Sequence, residues 1–373
     1  MREFIDGAEA IARGALDAGC NFFAGYPITP ASPILLHMLR ELPKVGGVGI
    51  QGEDEIASIS MCIGAAMAGS KAMTATSGPG ISLYSENIGM AIMGEVPLVI
   101  VDVQRLGPAT GGATTVAQGD VQFIRWVTSG GYPVIALCPT NVLECYTLTQ
   151  TCFNLAERFR APVFLLTDKE TVSTQTSVDT DAFQPLPHIE RAHASGDAYV
   201  PYRIAHPDDA PAFAPVGDTK YFMRLTTSTH DERGLLTKKP ERVEQLNRHL
   251  FEKIDAHRSE IEMVQYDAQD NADTLIVSFG VTARAMQEAV MLARANGARV
   301  SQLIVHSLFP VPQKSLRRAF YNHPRIVVPE LNHGQYVLEI ERIAYTLDPR
   351  PRVISLTRVD GQMITPQQLM ETL

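Results

Sequence analysis

The stretch Asn21-Phe22-Phe23-Ala24-Gly25-Tyr26-Pro27-Ile28-Thr29-Pro30 decides the fold. An apolar, strand-like run ends in a turn with two prolines around one Ile-Thr pair, and a helix-like run begins at Ala31. Proline fixes its own φ and restricts the residue before it, so this turn is stiff. A stiff turn at the carboxyl end of a strand can hold one hydroxyl, that of Thr29, over a cleft. The same pattern can also do no more than end a strand and start a helix.

Working outward, the first part of the chain repeats this alternation. Helix-like segments cover Asp6–Ala18, Ala31–Leu42, Asp54–Gly69, Ile81–Gly94 and Thr140–Ala161. Between them lie β-prone runs at Asn21–Tyr26, Val48–Gln51, Ala72–Thr76, Leu98–Gln104, Val134–Cys138 and Val163–Thr167. Such alternation predicts an α/β fold, a doubly wound parallel sheet with helices on both faces and functional loops at the carboxyl ends of its strands. The expected first domain is 1–169. Residues 170–271 are rich in proline and polar side chains and read as a connector ending in one charged helix near Pro240–Met263. A second doubly wound domain is expected over 272–373. Its strands are Thr274–Phe279, Val300–Val305, Arg325–Pro329 and Val353–Leu356; its helices are Val281–Ala295, Pro312–Tyr321 and Tyr336–Leu347.

The bulk properties set limits. A chain of 373 residues with 45% hydrophobic and 20% charged residues is an ordinary globular composition with material for two or three domains. A net charge of -9 argues against nucleic-acid partners and a basic membrane-binding surface. No apolar run reaches the length of a membrane span, and Met1–Gly7 lacks a secretory pattern, so a cytoplasmic location is expected. Cys20, Cys62, Cys138, Cys145 and Cys152 form no CxxC pair and read as buried thiols; no metal ligands are assigned to this chain.

Three further features carry chemistry. Ser77-Gly78-Pro79-Gly80 opens a helix, and its N–H groups could hold an anion or only make a tight turn. Glu53-Asp54-Glu55 opens a helix rich in small residues (Ala57, Ser58, Ser60, Gly64, Ala65, Ala66, Ala68, Gly69), which lets a backbone or a flat ligand come close. Acids there also complement the helix dipole, and that alone explains them. Arg105 ends the run Leu98–Gln104, where its fork could bind a carboxylate or neutralise Asp102 or Glu95.

Taken in order, Gly25–Ser32, Glu53–Glu55, Thr74–Gly80, Glu95–Arg105, Thr229-His230-Asp231-Glu232-Arg233-Gly234, Val305–Pro312 and Glu330–Gln335 resemble the alpha subunit of 2-oxoacid:ferredoxin oxidoreductases, best in the 2-oxoglutarate synthase branch. The resemblance covers nearly the whole chain. It implies a thiamine-diphosphate pyrimidine-binding domain followed by a transketolase-C-terminal-like domain. It places Glu55 at the pyrimidine N1′ as the catalytic acid–base group. Thr29 and Arg105 would bind the 2-oxoacid carboxylate, and Tyr26, Pro27, Ile28, Ser77 and Gly78 would line the cofactor. Coenzyme A is the implied co-substrate and ferredoxin the acceptor.

The family's Gly-Asp-Gly…Asn motif for magnesium diphosphate is absent here, as are cluster cysteines. The resemblance therefore implies a beta subunit carrying Mg2+ and an iron–sulfur cluster. Separate gamma and ferredoxin-like delta subunits are expected, and the chain alone is expected to be inactive. The other substrates weighed are pyruvate, branched-chain and aryl 2-oxoacids; the non-enzymatic alternative is a scaffold subunit of an electron-transfer complex.

Overall fold

The computed structural model describes residues 1–373. Its strands are β1 (Arg2–Ile5), β2 (Phe22–Gly25), β3 (Val48–Gln51), β4 (Ala72–Thr76), β5 (Leu98–Gln104), β6 (Ile135–Leu137), β7 (Pro162–Asp168), β8 (Thr176–Asp179), β9 (Val264–Asp267), β10 (Thr274–Ser278), β11 (Val300–Val305), β12 (Ser307–Phe309), β13 (Arg325–Glu330) and β14 (Arg352–Thr357). A seven-stranded sheet runs β12-β6-β7-β5-β4-β2-β3 and a five-stranded sheet runs β14-β13-β10-β11-β9. Helices cover both faces of the first sheet, which makes the α/β layering expected from the alternation.

β5 and β7 are buried at every position, as central parallel strands between two helical layers must be. Along β5, Val99, Val101 and Val103 join one apolar core while Leu98 and Ile100 join the other. The second of these cores continues without a break through Leu275, Val277, Leu303 and Phe309, so the two sheets share one apolar interior.

Both sheets carry strands that local sequence does not announce. β12 lies among the residues of the second sheet, yet it pairs antiparallel with β6 and closes the first. β9 pairs antiparallel with β11 at the edge of the second sheet. β1 and β8 form a separate antiparallel ribbon. The parallel character expected of the sheets holds for their centres and fails at these edges.

The stretch after β8 packs on the chain's own first unit. Arg191 donates to both oxygens of Glu157, at 2.7 and 2.6 Å, and to the carbonyls of Ala66 and Ser70. Phe213 is fully buried. The charged helix is Pro240–Asp255, with Leu246, Leu250 and Ile254 turned inward.

All five cysteines are free and buried. No helix is long and apolar enough to cross a membrane.

Candidate active site

The chain runs from β2 outward to β3, then returns across β2 to β4 and on to β5. Strand order reverses there, and loops at such a reversal leave a crevice at the carboxyl ends of the strands. The loop after β2 carries Tyr26–Thr29, the loop after β4 carries Ser77 and Gly78, and Arg105 follows β5.

Arg105 is 7% exposed. It donates to the Thr29 carbonyl and, at 3.5 Å, to the Ala109 carbonyl, while its Nε has no partner. Arg105 and Thr29, both expected at the substrate carboxylate, are therefore neighbours, joined through the Thr29 backbone and not its hydroxyl. The Thr29 side chain is exposed and its peptide to Pro30 is cis. Tyr26 and Pro27 are exposed, and Ile28 packs against the core beneath. Neither of the alternative roles for Arg105 is made by a hydrogen bond: Glu95 is held by other cations, and both oxygens of Asp102 are unpartnered.

Glu55 begins the helix Glu55–Met67, which Asp54 caps by accepting from the Ala57 N–H at 2.7 Å. Asp54 therefore does the capping, and Glu55 is left over: it is 7% exposed and its carboxylate makes no hydrogen bond within the chain. It lies against the start of the next helix. A Cβ added to Gly80 would stand 1.9 Å from Thr76 Oγ1 and 3.1 Å from Glu55 Cγ, so only glycine allows this approach. Ser77 and Thr76 are buried beside it, and their hydroxyls have no partner. The small-residue face is divided: Ser58 and Ala66 turn inward, while Ser60, Gly64 and Ala68 are exposed.

A cavity of about 660 Å³ is bounded by Gly78, Arg105, Gly107, Asp120, Phe123 and Asn332; of the expected site residues only Gly78 and Arg105 line it, and Glu55, Thr29, Ser77 and Tyr26–Ile28 do not. Its far wall comes from the second unit. Asn332 donates to the Gln118 carbonyl at 2.7 Å, the Gln118 N–H donates to the Leu331 carbonyl at 2.9 Å, and Gln335 donates to the Gly119 carbonyl at 2.6 Å. These bonds fix the loop after β5 between the two sheets. Asp120, Asp102 and Gln118 were not singled out as site residues from sequence. Asp120 precedes the short helix Val121–Arg125 and has the pattern of a helix start.

Glu55, with a carboxylate that makes no hydrogen bond, lies near the buried, unpartnered hydroxyls of Thr76 and Ser77 where two helices begin. Residues 13–248 match the family model described as pyruvate flavodoxin/ferredoxin oxidoreductase, thiamine diphosphate-binding, and residues 272–369 match the pyruvate:ferredoxin oxidoreductase core domain II. The chain belongs to the 2-oxoacid:ferredoxin oxidoreductase family. It is 40% identical to the 2-oxoglutarate synthase subunit KorA of Methanocaldococcus jannaschii over 98% of both chains. It is similar to the structure of the 2-oxoglutarate:ferredoxin oxidoreductase of Magnetococcus marinus with 2-oxoglutarate, coenzyme A and succinyl-CoA bound, at a TM-score of 0.91 and 30% identity. That match covers all of this chain and 64% of the other, which carries further sequence. A split-gene transketolase shares the fold at a TM-score of 0.55 and 14% identity, over 99% of this chain and 93% of that one. As a member of the family, the chain is one subunit of a multi-subunit oxidoreductase.

Proposed function

We propose that this chain is the alpha subunit of a thiamine-diphosphate-dependent 2-oxoacid:ferredoxin oxidoreductase. The reaction is oxidative decarboxylation of 2-oxoglutarate with coenzyme A to succinyl-CoA and carbon dioxide, with reduction of ferredoxin. Two findings support it together: full-length likeness to a 2-oxoglutarate synthase subunit, and an almost buried arginine, anchored to backbone carbonyls, that lines the cavity. The second carries the chemistry. A guanidinium anchored to backbone carbonyls is pre-positioned, and its remaining N–H groups suit a carboxylate.

In this reading, residues 1–169 form the pyrimidine-binding domain, 170–271 the connector and 272–373 the transketolase-C-terminal-like domain. Glu55 would hold a proton at the pyrimidine N1′, and Tyr26, Pro27, Ile28, Ser77 and Gly78 would wall the cofactor. When bound, thiamine diphosphate supplies the nucleophilic carbon and the electron sink that decarboxylation of a 2-oxoacid requires. Arg105 binds and orients the substrate carboxylate, with Thr29 as a second donor at the mouth. The apolar side chains Leu106 and Phe123 on the cavity wall limit water there.

The beta subunit supplies Mg2+, the diphosphate site and an iron–sulfur cluster; separate gamma and delta subunits and ferredoxin complete the path, and the assembly works in the cytoplasm. The test is ferredoxin reduction by the assembled complex with 2-oxoglutarate, pyruvate and 2-oxoisovalerate. The highest kcat/KM is expected for 2-oxoglutarate; a preference for either of the others contradicts the substrate assignment. The chain alone, given thiamine diphosphate, coenzyme A and ferredoxin, is expected to turn over nothing.

A further inference from the structure

Three carboxylate oxygens at the carboxyl end of β5 are buried without a hydrogen-bond partner: both of Asp102 and one of Asp120. Asp102 is fully buried between Thr76 of β4 and Leu166 of β7 in the ladder. Asp120 lies nearer the cavity and lines it together with Arg105. Its two oxygens would stand 2.7 and 2.8 Å from a Cβ on Gly78, so the carboxyl group presses on the glycine turn that opens the site. Gln104 accepts from the Asp120 backbone N–H at 3.1 Å and fixes the residue without touching its carboxylate.

The charged and titratable groups around Asp120 are few. Arg105 follows the end of β5, Asp102 lies within β5, and His333 faces the cavity from the second unit. No hydrogen bond joins Asp120 to Arg105. Burial pushes the Asp120 carboxyl up to about 6, with Arg105 opposing the rise. Burial, and then Asp120 itself, push Asp102 well above the usual carboxylate range.

We propose that Asp120 is a positioning residue for the substrate carboxylate, holding a proton when substrate is bound so that the charge of Arg105 faces the 2-oxoacid alone. This rests on Arg105 being the carboxylate anchor. An ionised Asp120 and an incoming carboxylate share one guanidinium. The substrate's negative charge therefore favours the protonated form of Asp120, and binding takes up a proton. The sign follows: affinity is highest where Asp120 is already protonated and falls as pH rises above about 6.

The assembled complex is titrated calorimetrically with N-oxalylglycine, a 2-oxoglutarate analogue with an amide in place of the reactive ketone. Two buffers of different ionisation enthalpy report the protons taken up. Wild type is expected to take up a fraction of a proton per ligand, and its affinity to fall by up to about tenfold per pH unit above that point. Asp120→Asn, and Asp120→Ser as a second neutral variant, should bind with no proton uptake and with affinity independent of pH. His333→Gln should keep the uptake, which excludes the other titratable group on the cavity.

Uptake unchanged in both Asp120 variants overturns the proposal. If Arg105→Ala abolishes binding while those variants keep their uptake, only the role of Asp120 fails. If Arg105→Ala binds as tightly as wild type, the anchor itself is wrong and the proposal fails with it.

Discussion

The two ends of β5 each bury acid, and they treat it in opposite ways. At the amino end stands Glu95, fully buried, with Lys253 at 2.7 Å and His249 at 3.0 Å on one oxygen and Arg160 donating to its carbonyl. Burial alone would raise its pKa, but Lys253 and His249 outweigh it and hold the carboxyl far below the usual range. At the carboxyl end stand Asp102 and Asp120, whose orphaned oxygens have no cation bonded to them, and both are raised. The first arrangement fastens the helix Pro240–Asp255 to the sheet. The second buries two acids that resist ionisation near a guanidinium held only by backbone carbonyls, which is useful only if something else arrives. Buried charge that is compensated marks structure; buried charge left uncompensated at the strand ends marks the site.

The contrast can be broken experimentally, and the largest effect is expected at the structural end. Lys253→Met strands the Glu95 carboxylate and should cost about 3–5 kcal/mol of stability, seen as a large drop in the thermal midpoint. The kcat of the molecules that remain folded should not change. The pH dependence has a definite sign. Glu95 has a folded pKa below its ordinary 4.5, so its contribution is complete above that value and lost as pH falls beneath it. Glu95→Gln should remove that part of the acid sensitivity in a pH series of thermal melts.

Effects at the other end should appear in function first. Arg105→Ala should weaken 2-oxoacid binding by about 2–3 kcal/mol, measured as a KM raised thirtyfold or more, roughly, with little change in thermal midpoint. An unchanged KM removes Arg105 from the site. The smallest effect is expected for stability at the uncompensated pair. Asp102→Asn removes a buried group that resists ionisation, and should leave the protein as stable or more stable, by on the order of 1 kcal/mol at neutral pH. A loss as large as that of Lys253→Met would show that the two ends do not differ as described.

What the sequence made legible follows the same division. β5 and β7 were plain because strands covered on both faces read as largely apolar runs. β12 was not, since three residues, Ser307–Phe309, acquire their identity from pairing with β6 far away in the chain. β1 and β8 are four-residue edge strands with partly exposed side chains, and they carry no clear alternation.

Among the candidate residues, Arg105, Thr29, Glu55 and Ser77 stand out in the sequence because each follows a strand in a doubly wound pattern, and of these four only Arg105 lines the cavity. That Arg105 meets the Thr29 carbonyl rather than its hydroxyl depends on how the loop is turned, which composition does not specify. Asp120 was hidden behind an ordinary helix-start pattern, and its closeness to Gly78 arises only when the loop after β5 is clamped by Asn332 and Gln335. The partners of Glu95 lie over 150 residues downstream, so Arg105 was a reasonable candidate from local sequence and the wrong end of the strand in three dimensions.

The central claim is that this chain builds the half of the site that activates a bound cofactor and orients a 2-oxoacid. Glu55→Gln in the assembled complex tests it most directly, with thiamine diphosphate occupancy and ferredoxin reduction measured on the same preparation. The expected result is near-complete cofactor occupancy at saturating thiamine diphosphate and a kcat reduced by about 10²–10⁴. Turnover within twofold of wild type at equal occupancy would make Glu55 a helix-start acid and nothing more.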